Sequence, residues 1–260
     1  MDENYFHVDA FIGKGLRGNP AGVLLLKQPL DSAQMQAIAN ELSLPETSFV
    51  WDDGDMQAIR WFTPTREVDL CGHATLAAAH VLLNVVNPSQ KDIRFRSASG
   101  ELYVKRDIAD GERLILDFPS RPPQKIAEPA RLATLLGAQL LEVWQATAIM
   151  VVLANEEQVK TLQPDIAALI DYVGCGVIVT APGDEVDFVS RYFSLDRSED
   201  PVTGSAHCTL MPYWTARLGR HVLHAKQISS RGGELFCELK GDRTLLGGYA
   251  HIFLRGKINL

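Results

Sequence analysis

The sequence lacks a long hydrophobic segment and an excess of positive charge. No stretch reaches the roughly 18 consecutive apolar residues that a membrane-spanning helix needs, so we expect no membrane partner. The formal net charge is −7, which argues against a nucleic-acid partner because binding phosphate requires a basic surface. The acidic start, MDENYFHVDAF, does not have the pattern of a signal peptide.

Cysteine is scarce and widely spaced. Cys71, Cys175, Cys208 and Cys237 form no CxxC pair, which is typical of free thiols in a reducing compartment, so we expect a cytoplasmic protein. With 46% hydrophobic and 22% charged residues, the 260-residue chain has the composition of an ordinary globular protein. It is long enough for one large domain or two smaller ones.

Short strand-like runs outnumber helical segments and seldom alternate with them, which predicts an α+β fold. Helical periodicity occurs in DSAQMQAIANEL, CGHATLAAAHVLL, EPARLATLLG and TGSAHCTLMPYWTARL. The proline-rich stretch DFPSRPPQKIAEP lies near the midpoint and predicts a domain junction. We therefore expect an N-terminal domain over residues 1–118 and a C-terminal domain over 119–251, with residues 252–260 returning to the first.

The two halves share a sequence pattern that indicates an internal duplication. IRWFTPTREVDLCGHAT in the first half parallels VSRYFSLDRSEDPVTGSAHCT in the second. In each, an acidic stretch precedes a glycine, Gly72 or Gly204, which begins a segment of helical character. The unpaired amides of a helix N-terminus bind anions. Two such helix starts facing one cleft would hold a small carboxylated molecule.

The stretch DLCGHAT combines Asp69, Cys71 and His73 within five positions. These residue types suit a metal, but no second ligand cluster has structural-zinc spacing, so we expect no metal. A helix N-terminus would lower the pKa of a nucleophilic Cys71, although neighbours in sequence seldom meet in the needed geometry. From the residues alone, a buried thiol beside a helix-capping histidine remains the simplest interpretation.

The stretch GKGLRG has the spacing of a dinucleotide-binding motif, GxGxxG, after a strand-like run. Such a motif also requires a helix to begin within the glycines, because the pyrophosphate rests on its N-terminus. Here NPAGVLLL follows, and Pro20 and Gly22 would interrupt a helix. We predict a hairpin loop and no nucleotide cofactor.

Five blocks resemble those of the PhzF-like (phenazine biosynthesis) family along the whole chain: RGNPAGVLLL, ANELSLPETSFVW, IRWFTPTREVDLCGHATLAAAHVL, EDPVTGSAHCTL and SSRGGELFCEL. The resemblance implies a fold like that of diaminopimelate epimerase. That fold has two similar, pseudo-symmetric α+β domains, each a curved β-sheet around a central helix. The resemblance also implies a homodimer.

The resemblance implies a cofactor-independent isomerase that moves a proton on a small carboxylated substrate. Glu46, in the ELxxxET block, would be the acid–base residue in the cleft between the domains. His73 and Asp200 would line the same site and assist catalysis. The remaining residues expected to bind the substrate are Asn19, which would border the cleft, and Gly72, Thr203, Gly204 and Ser205, whose region would supply backbone amides to its carboxylate.

Two alternatives remain on the same fold. Epimerases of this kind use two cysteines, one from each half, and Cys71 occupies the first position. The second half offers Pro201 or Thr203 there, and neither is a base, so one-base isomerisation through Glu46 is favoured over a Cys71-dependent epimerase or racemase. The other alternative is a small-molecule-binding protein without catalysis, because a fold alone does not establish chemistry.

Overall fold

A computed structural model describes residues 2–259 of the chain. The strands are β1 (Asp2–Ile12), β2 (Asn19–Leu26), β3 (Glu46–Asp52), β4 (Gln57–Phe62), β5 (Glu67–Val68), β6 (Asp92–Ser97), β7 (Gly100–Arg106), β8 (Leu114–Pro119), β9 (Gln124–Lys125), β10 (Glu142–Gln145), β11 (Ile149–Val152), β12 (Val177–Pro182), β13 (Phe188–Phe193), β14 (Glu199–Asp200), β15 (Val222–Gln227), β16 (Gly233–Lys240) and β17 (Arg243–Asn259). The helices are α1 (Ser32–Leu42), α2 (Gly72–Val81), α3 (Leu132–Leu136), α4 (Glu156–Thr161), α5 (Ile166–Val173) and α6 (Gly204–Leu218).

The chain divides into two compact units. Unit 1 comprises Met1–Asp117 with Gly247–Leu260, and unit 2 comprises Phe118–Leu246. The predicted first domain ends at residue 118, one residue later than the observed boundary between Asp117 and Phe118. The predicted return to the first domain at residue 252 comes after the observed return at Gly247, and both positions lie inside the continuous strand β17. No helix within the described residues is both long enough and apolar enough to cross a membrane.

The first two strands form the hairpin predicted for the GKGLRG loop. They run antiparallel, with Ala10 opposite Asn19. Gly18 has a φ of +69°, and a Cβ there would lie 2.3 Å from the Ala10 carbonyl oxygen. The turn therefore requires glycine. No helix begins within residues 13–18, so the structural requirement for a dinucleotide site is missing there.

Unit 1 wraps its strands around the buried helix α2. Strand β3 runs parallel to β2 and antiparallel to β4, and β4 is parallel to β6. Every residue of α2 except His80 is buried, as expected for a helix that is apolar on all sides. The Ser48 hydroxyl of β3 donates to the Ala74 carbonyl at 2.9 Å, which ties the sheet to the first turn of the helix.

Unit 2 repeats this arrangement. Strand β12 runs parallel to β11 and antiparallel to β13, and β13 is parallel to β15. Helix α6 packs against β15 and β16 and is mostly buried, with Pro212 inside it. The prediction of an α+β fold with two similar domains, each a curved sheet around a central helix, is confirmed.

Several local elements differ from the sequence predictions. The helix predicted in EPARLATLLG is only α3, which ends at Gly137 in the left-handed conformation. After Val81 the central helix of unit 1 continues as a π-helical turn, Leu82–Val86. Helices α4 and α5 were not predicted, because helices of one or two turns leave little periodicity. Their N-caps, Asn155 and Asp165, accept from amides of the first turn.

Candidate active site

Glu46 and His73 meet at the N-terminus of α2. Glu46 begins β3, opposite Ala21 of the parallel strand β2, and its side chain is 20% exposed. Glu46 Oε2 lies 3.1 Å from His73 Nε2, and the imidazole is buried. Strand order and helix packing thus bring together two predicted catalytic residues that are distant in sequence.

The other ring nitrogen of His73 contacts two further polar groups. Asn19 Nδ2 lies 3.2 Å from His73 Nδ1, and Cys71 Sγ lies 3.5 Å from the same nitrogen. Both neighbours are buried. Nε2, by contrast, has no well-aligned hydrogen-bond partner within residues 2–259, despite its short distance from Glu46. Catalytic contacts are often poorly aligned before a substrate binds.

Burial and charge set the protonation states of this cluster. Burial, and then the charge of Glu46, raise the pKa of the Cys71 thiol, which is therefore neutral near pH 7. Burial lowers the pKa of His73, but Cys71 and Glu46 outweigh it and leave that pKa well above its ordinary value. Because a neutral thiol carries no charge, we attribute the increase to the Glu46 carboxylate.

Ligand atoms of Glu46, Cys71 and His73 all lie within 4.8 Å of one another, and these residue types can bind zinc. The arrangement of the ring argues against a shared ion. Cys71 approaches Nδ1, whereas Glu46 approaches Nε2, so no single nitrogen faces both partners closely. The contacts fit a chain of hydrogen-bonding groups better, and the expected absence of a metal stays a prediction.

Unit 2 places Asp200 in a different polar network. The Thr203 hydroxyl donates to the Asp200 carboxylate. Gln227 accepts from the Thr203 amide at 2.8 Å and donates from Nε2 to the Asp200 carbonyl at 2.7 Å. Gln227 was not predicted, and it is fully buried at the end of β15. A single polar residue at a strand end gives no sequence signal for such a role.

This network reduces the number of predicted backbone amides that could bind a substrate carboxylate. The amide of Thr203 is already bonded inside unit 2. Gly204 and Ser205 begin α6, and Gly72 begins α2; the N-caps of both helices make no side-chain cap hydrogen bond. Within the described residues, the first turns of these helices therefore keep amides that no N-cap side chain satisfies.

Strand register aligns the two units residue by residue. Thr47 pairs with Phe62 of the IRWFT block, and Val177 pairs with Phe193 of the SRYFS block. The preceding residues, Glu46 and Gly176, therefore occupy equivalent positions. A Cβ on Gly176 would lie 2.2 Å from the Tyr192 hydroxyl. Unit 2 thus has no carboxylate at the position of Glu46, and a tyrosine fills the space.

The helix starts align in the same way. Helix α2 begins five residues after Glu67 of β5, and α6 begins five residues after Glu199 of β14. Each glutamate pairs with the phenylalanine of its own block, Phe62 or Phe193. Cys71 is therefore equivalent to Thr203, and His73 to Ser205. The choice between Pro201 and Thr203, which the sequence left open, is resolved in favour of Thr203.

Comparison with known proteins supports the resemblance. A solved structure of a phenazine biosynthesis protein of the PhzF family from Enterococcus faecalis matches with a TM-score of 0.95 and 45% identity, covering 100% of both chains. A probable proline racemase from Agrobacterium radiobacter matches with a TM-score of 0.68 at 11% identity, covering 99% of this chain and 93% of that one. The second likeness concerns the fold alone.

Sequence comparison leads to the same family. A relative in Pseudomonas aeruginosa that is named an uncharacterized isomerase is 46% identical over 263 residues, covering 100% of both chains. The family model described as phenazine biosynthesis-like protein matches residues 8–256. The chain therefore belongs to the PhzF-like (phenazine biosynthesis) family.

Proposed function

We propose that this protein is a cofactor-independent isomerase that moves a proton on a small carboxylated substrate. The observation that carries the proposal is the 3.1 Å contact between Glu46 Oε2 and His73 Nε2 at the N-terminus of a buried helix. A partly exposed carboxylate beside a buried imidazole can exchange a proton with a bound molecule. The relative that is named an isomerase supports the same class of reaction.

In the proposed reaction, the Glu46 carboxylate takes a proton from one carbon of the substrate. The electron pair of that C–H bond enters the adjacent π system, and the new carboxylic acid returns the proton to a different carbon. No oxidant or reductant is needed. His73, beside Glu46, would stabilise negative charge as it develops on the substrate.

The substrate carboxylate would bind at a helix N-terminus. The first-turn amides at Gly72 are close in sequence to His73, and amides at such a position attract anions. Gly204 and Ser205 provide the equivalent amides in unit 2. That Asp200 and these amides act on the same molecule as Glu46, in one cleft, stays a prediction from the family resemblance.

The second half supports a one-base mechanism over a two-base racemase. At the position equivalent to Cys71 it has Thr203, and at the position equivalent to Glu46 it has Gly176. Neither residue can remove a proton from carbon near neutral pH. By this alignment, unit 2 supplies no second base at either position, so Glu46 would both remove and return the proton.

The test is proton exchange with solvent deuterium. We would incubate the protein in D2O with two probes and follow C–H signals by NMR. One is dihydro-hydroxyanthranilate, the substrate of the best-understood member of the family, and the other is trans-4-hydroxy-L-proline, the ligand bound to a hydroxyproline epimerase of similar fold. Glu46→Gln should lower exchange by about 10² to 10⁴-fold, whereas Glu41→Gln, an exposed residue of α1, should not change it.

Full exchange by Glu46→Gln would reject Glu46 as the acid–base residue. Binding of either probe to the wild-type protein without any exchange would favour the non-catalytic alternative. The expected homodimer and cytoplasmic location stay predictions as well, and sedimentation of the purified protein would test the first.

A further inference from the structure

The contact between Asn19 and His73 assigns the position of the imidazole proton. Asn19 begins β2, where pairing with Ala10 of β1 fixes its backbone, and its side chain is fully buried. Its Nδ2 lies 3.2 Å from His73 Nδ1. In the amide orientation that the structure gives, the NH2 group faces the ring and can only donate, so Nδ1 accepts. In the neutral ring the proton then sits on Nε2, the nitrogen that faces Glu46.

The second neighbour of Nδ1 is compatible with this assignment. Cys71 Sγ lies 3.5 Å from this nitrogen. The buried Cys71 remains a thiol near neutral pH, and a thiol is a weak donor. A thiol in this position is therefore compatible with a ring whose Nδ1 carries a lone pair.

The proton position matters because of what lies on the other side of the ring. Nε2 is 3.1 Å from the Glu46 carboxylate. With the proton on Nε2, donor meets acceptor; with the proton on Nδ1, the Nε2 lone pair would face the carboxylate oxygen and repel it. The Asn19 contact therefore keeps the two proposed catalytic groups compatible at short distance.

We infer that Asn19 is a positioning residue that holds neutral His73 in the Nε2-protonated tautomer, ready to donate towards Glu46 and the substrate. This inference rests on the proposed function of Glu46 and His73. It assigns Asn19 a role through His73, in addition to the substrate contact expected from the sequence. The role is electronic as well as steric, so an isosteric replacement should disturb it.

Asn19→Asp is that replacement. A carboxylate has the same shape but can only accept, so it would favour a proton on Nδ1 and stabilise the imidazolium. An added negative charge at this distance should raise the His73 titration midpoint by about one pH unit or more. The measurement is ¹⁵N NMR of histidine-labelled protein without substrate, in which chemical shifts identify the protonated nitrogen. His73→Gln assigns the resonances among the seven histidines.

The chain contains a matched control. Asn84 Nδ2 lies 2.9 Å from His80 Nδ1, also in unit 1. Burial first, and then the nearby cations His251, Arg106 and Arg255, lower the pKa of His80 to about 4. Asn84→Asp should shift the His80 titration and leave the His73 resonances unchanged. If it changed His73 as much as Asn19→Asp did, the effect would not depend on the Asn19 contact.

The wild-type spectrum gives a test that needs no variant. Above the His73 midpoint, protonation on Nδ1 instead of Nε2 would overturn the inference. So would an unchanged titration and tautomer in folded Asn19→Asp; if that variant did not fold, Asn19→Ser, which removes the contact, would replace it.

Measurements of turnover distinguish a failure of the Asn19 assignment from a failure of the proposed function. Asn19→Asp should lower kcat by up to about 10⁴-fold, the loss seen when a catalytic imidazole is held in the wrong tautomer. A changed tautomer with unchanged turnover would support the Asn19 contact but reject His73 as part of the chemistry. Loss of exchange in Glu46→Gln, whose Asn19 is intact, tests the base independently.

Discussion

Units 1 and 2 share a scaffold but differ in their chemistry. In each, an arginine of one strand pairs through two nitrogens with the glutamate that precedes the central helix: Arg60 with Glu67, and Arg191 with Glu199. Each guanidinium also lies over the phenylalanine two positions later. The contacts that join the strand to the loop before the central helix are therefore the same in both halves.

The polar groups at the two helix starts are not retained. Glu46, Cys71 and His73 of unit 1 are matched in unit 2 by Gly176, Thr203 and Ser205. Asp200 of unit 2 occupies a position equivalent to Val68, because each precedes its helix by the same number of residues. A duplicated scaffold therefore does not imply duplicated catalytic groups. Substitutions at equivalent positions of the two units test how far the scaffold is shared and how far the chemistry differs.

The largest expected effect concerns the shared arginine. Arg191 is 11% exposed and also donates to the carbonyls of Val159 and Leu162, whereas Arg60 is 26% exposed. Arg191→Ala should lower the free energy of unfolding by about 3 kcal/mol, because it leaves buried acceptors unpaired. Arg60→Ala should cost about 1 kcal/mol or less. Urea unfolding of both variants checks this, and equal losses would show that burial does not distinguish the pairs.

A smaller loss of stability is expected at Gly176. Gly176→Ala would place a Cβ against the Tyr192 ring, as close as 2.2 Å to its hydroxyl, and should cost about 1–3 kcal/mol through overpacking. Adding Tyr192→Val should recover part of that loss. Gly111→Ala is the control, because a Cβ there meets no atom within 4 Å. A Gly176→Ala variant as stable as the wild type would show that the Tyr192 ring does not exclude a side chain at this position.

The smallest expected effect on activity is that of Cys71→Ser. If Glu46 is the only base, replacing the neutral thiol should change proton exchange by less than about tenfold, because serine can still donate to His73. A Cys71-dependent epimerase would instead lose about 10²-fold or more. Exchange of both probes in D2O distinguishes these outcomes, with Cys175→Ser, a half-buried thiol of unit 2, as the control.

Local chemistry explains which elements could be predicted. The helix α1 follows from the periodicity of its residues, and its N-cap, Asp31, accepts from the Gln34 amide at 2.8 Å. The turn at Gly18 and the burial of α2 follow from backbone freedom and from apolar composition. These features depend on residues that are neighbours in sequence, so one sequence is enough to indicate them.

The candidate site could be predicted only in part. Glu46 was identified through the family resemblance, because by itself it has the features of a loop glutamate after Pro45. The contact of His73 with Asn19 joins a strand start to a helix start, and the contact of Thr203 with Gln227 joins a helix start to a strand end. Neither spacing is periodic, so composition and pattern carry no signal for them.

The sequence by itself determined the α+β class, the repeated strand–loop–helix block and the presence of a glycine at each central helix start. Tertiary structure decided which groups surround those starts. Parallel pairing of β3 with β2 sets Glu46 beside His73, and the hairpin of β1 with β2 sets Asn19 behind the same ring. The physical reason is that strand register fixes side-chain neighbours across long stretches of chain, and register is settled by packing against the buried helix.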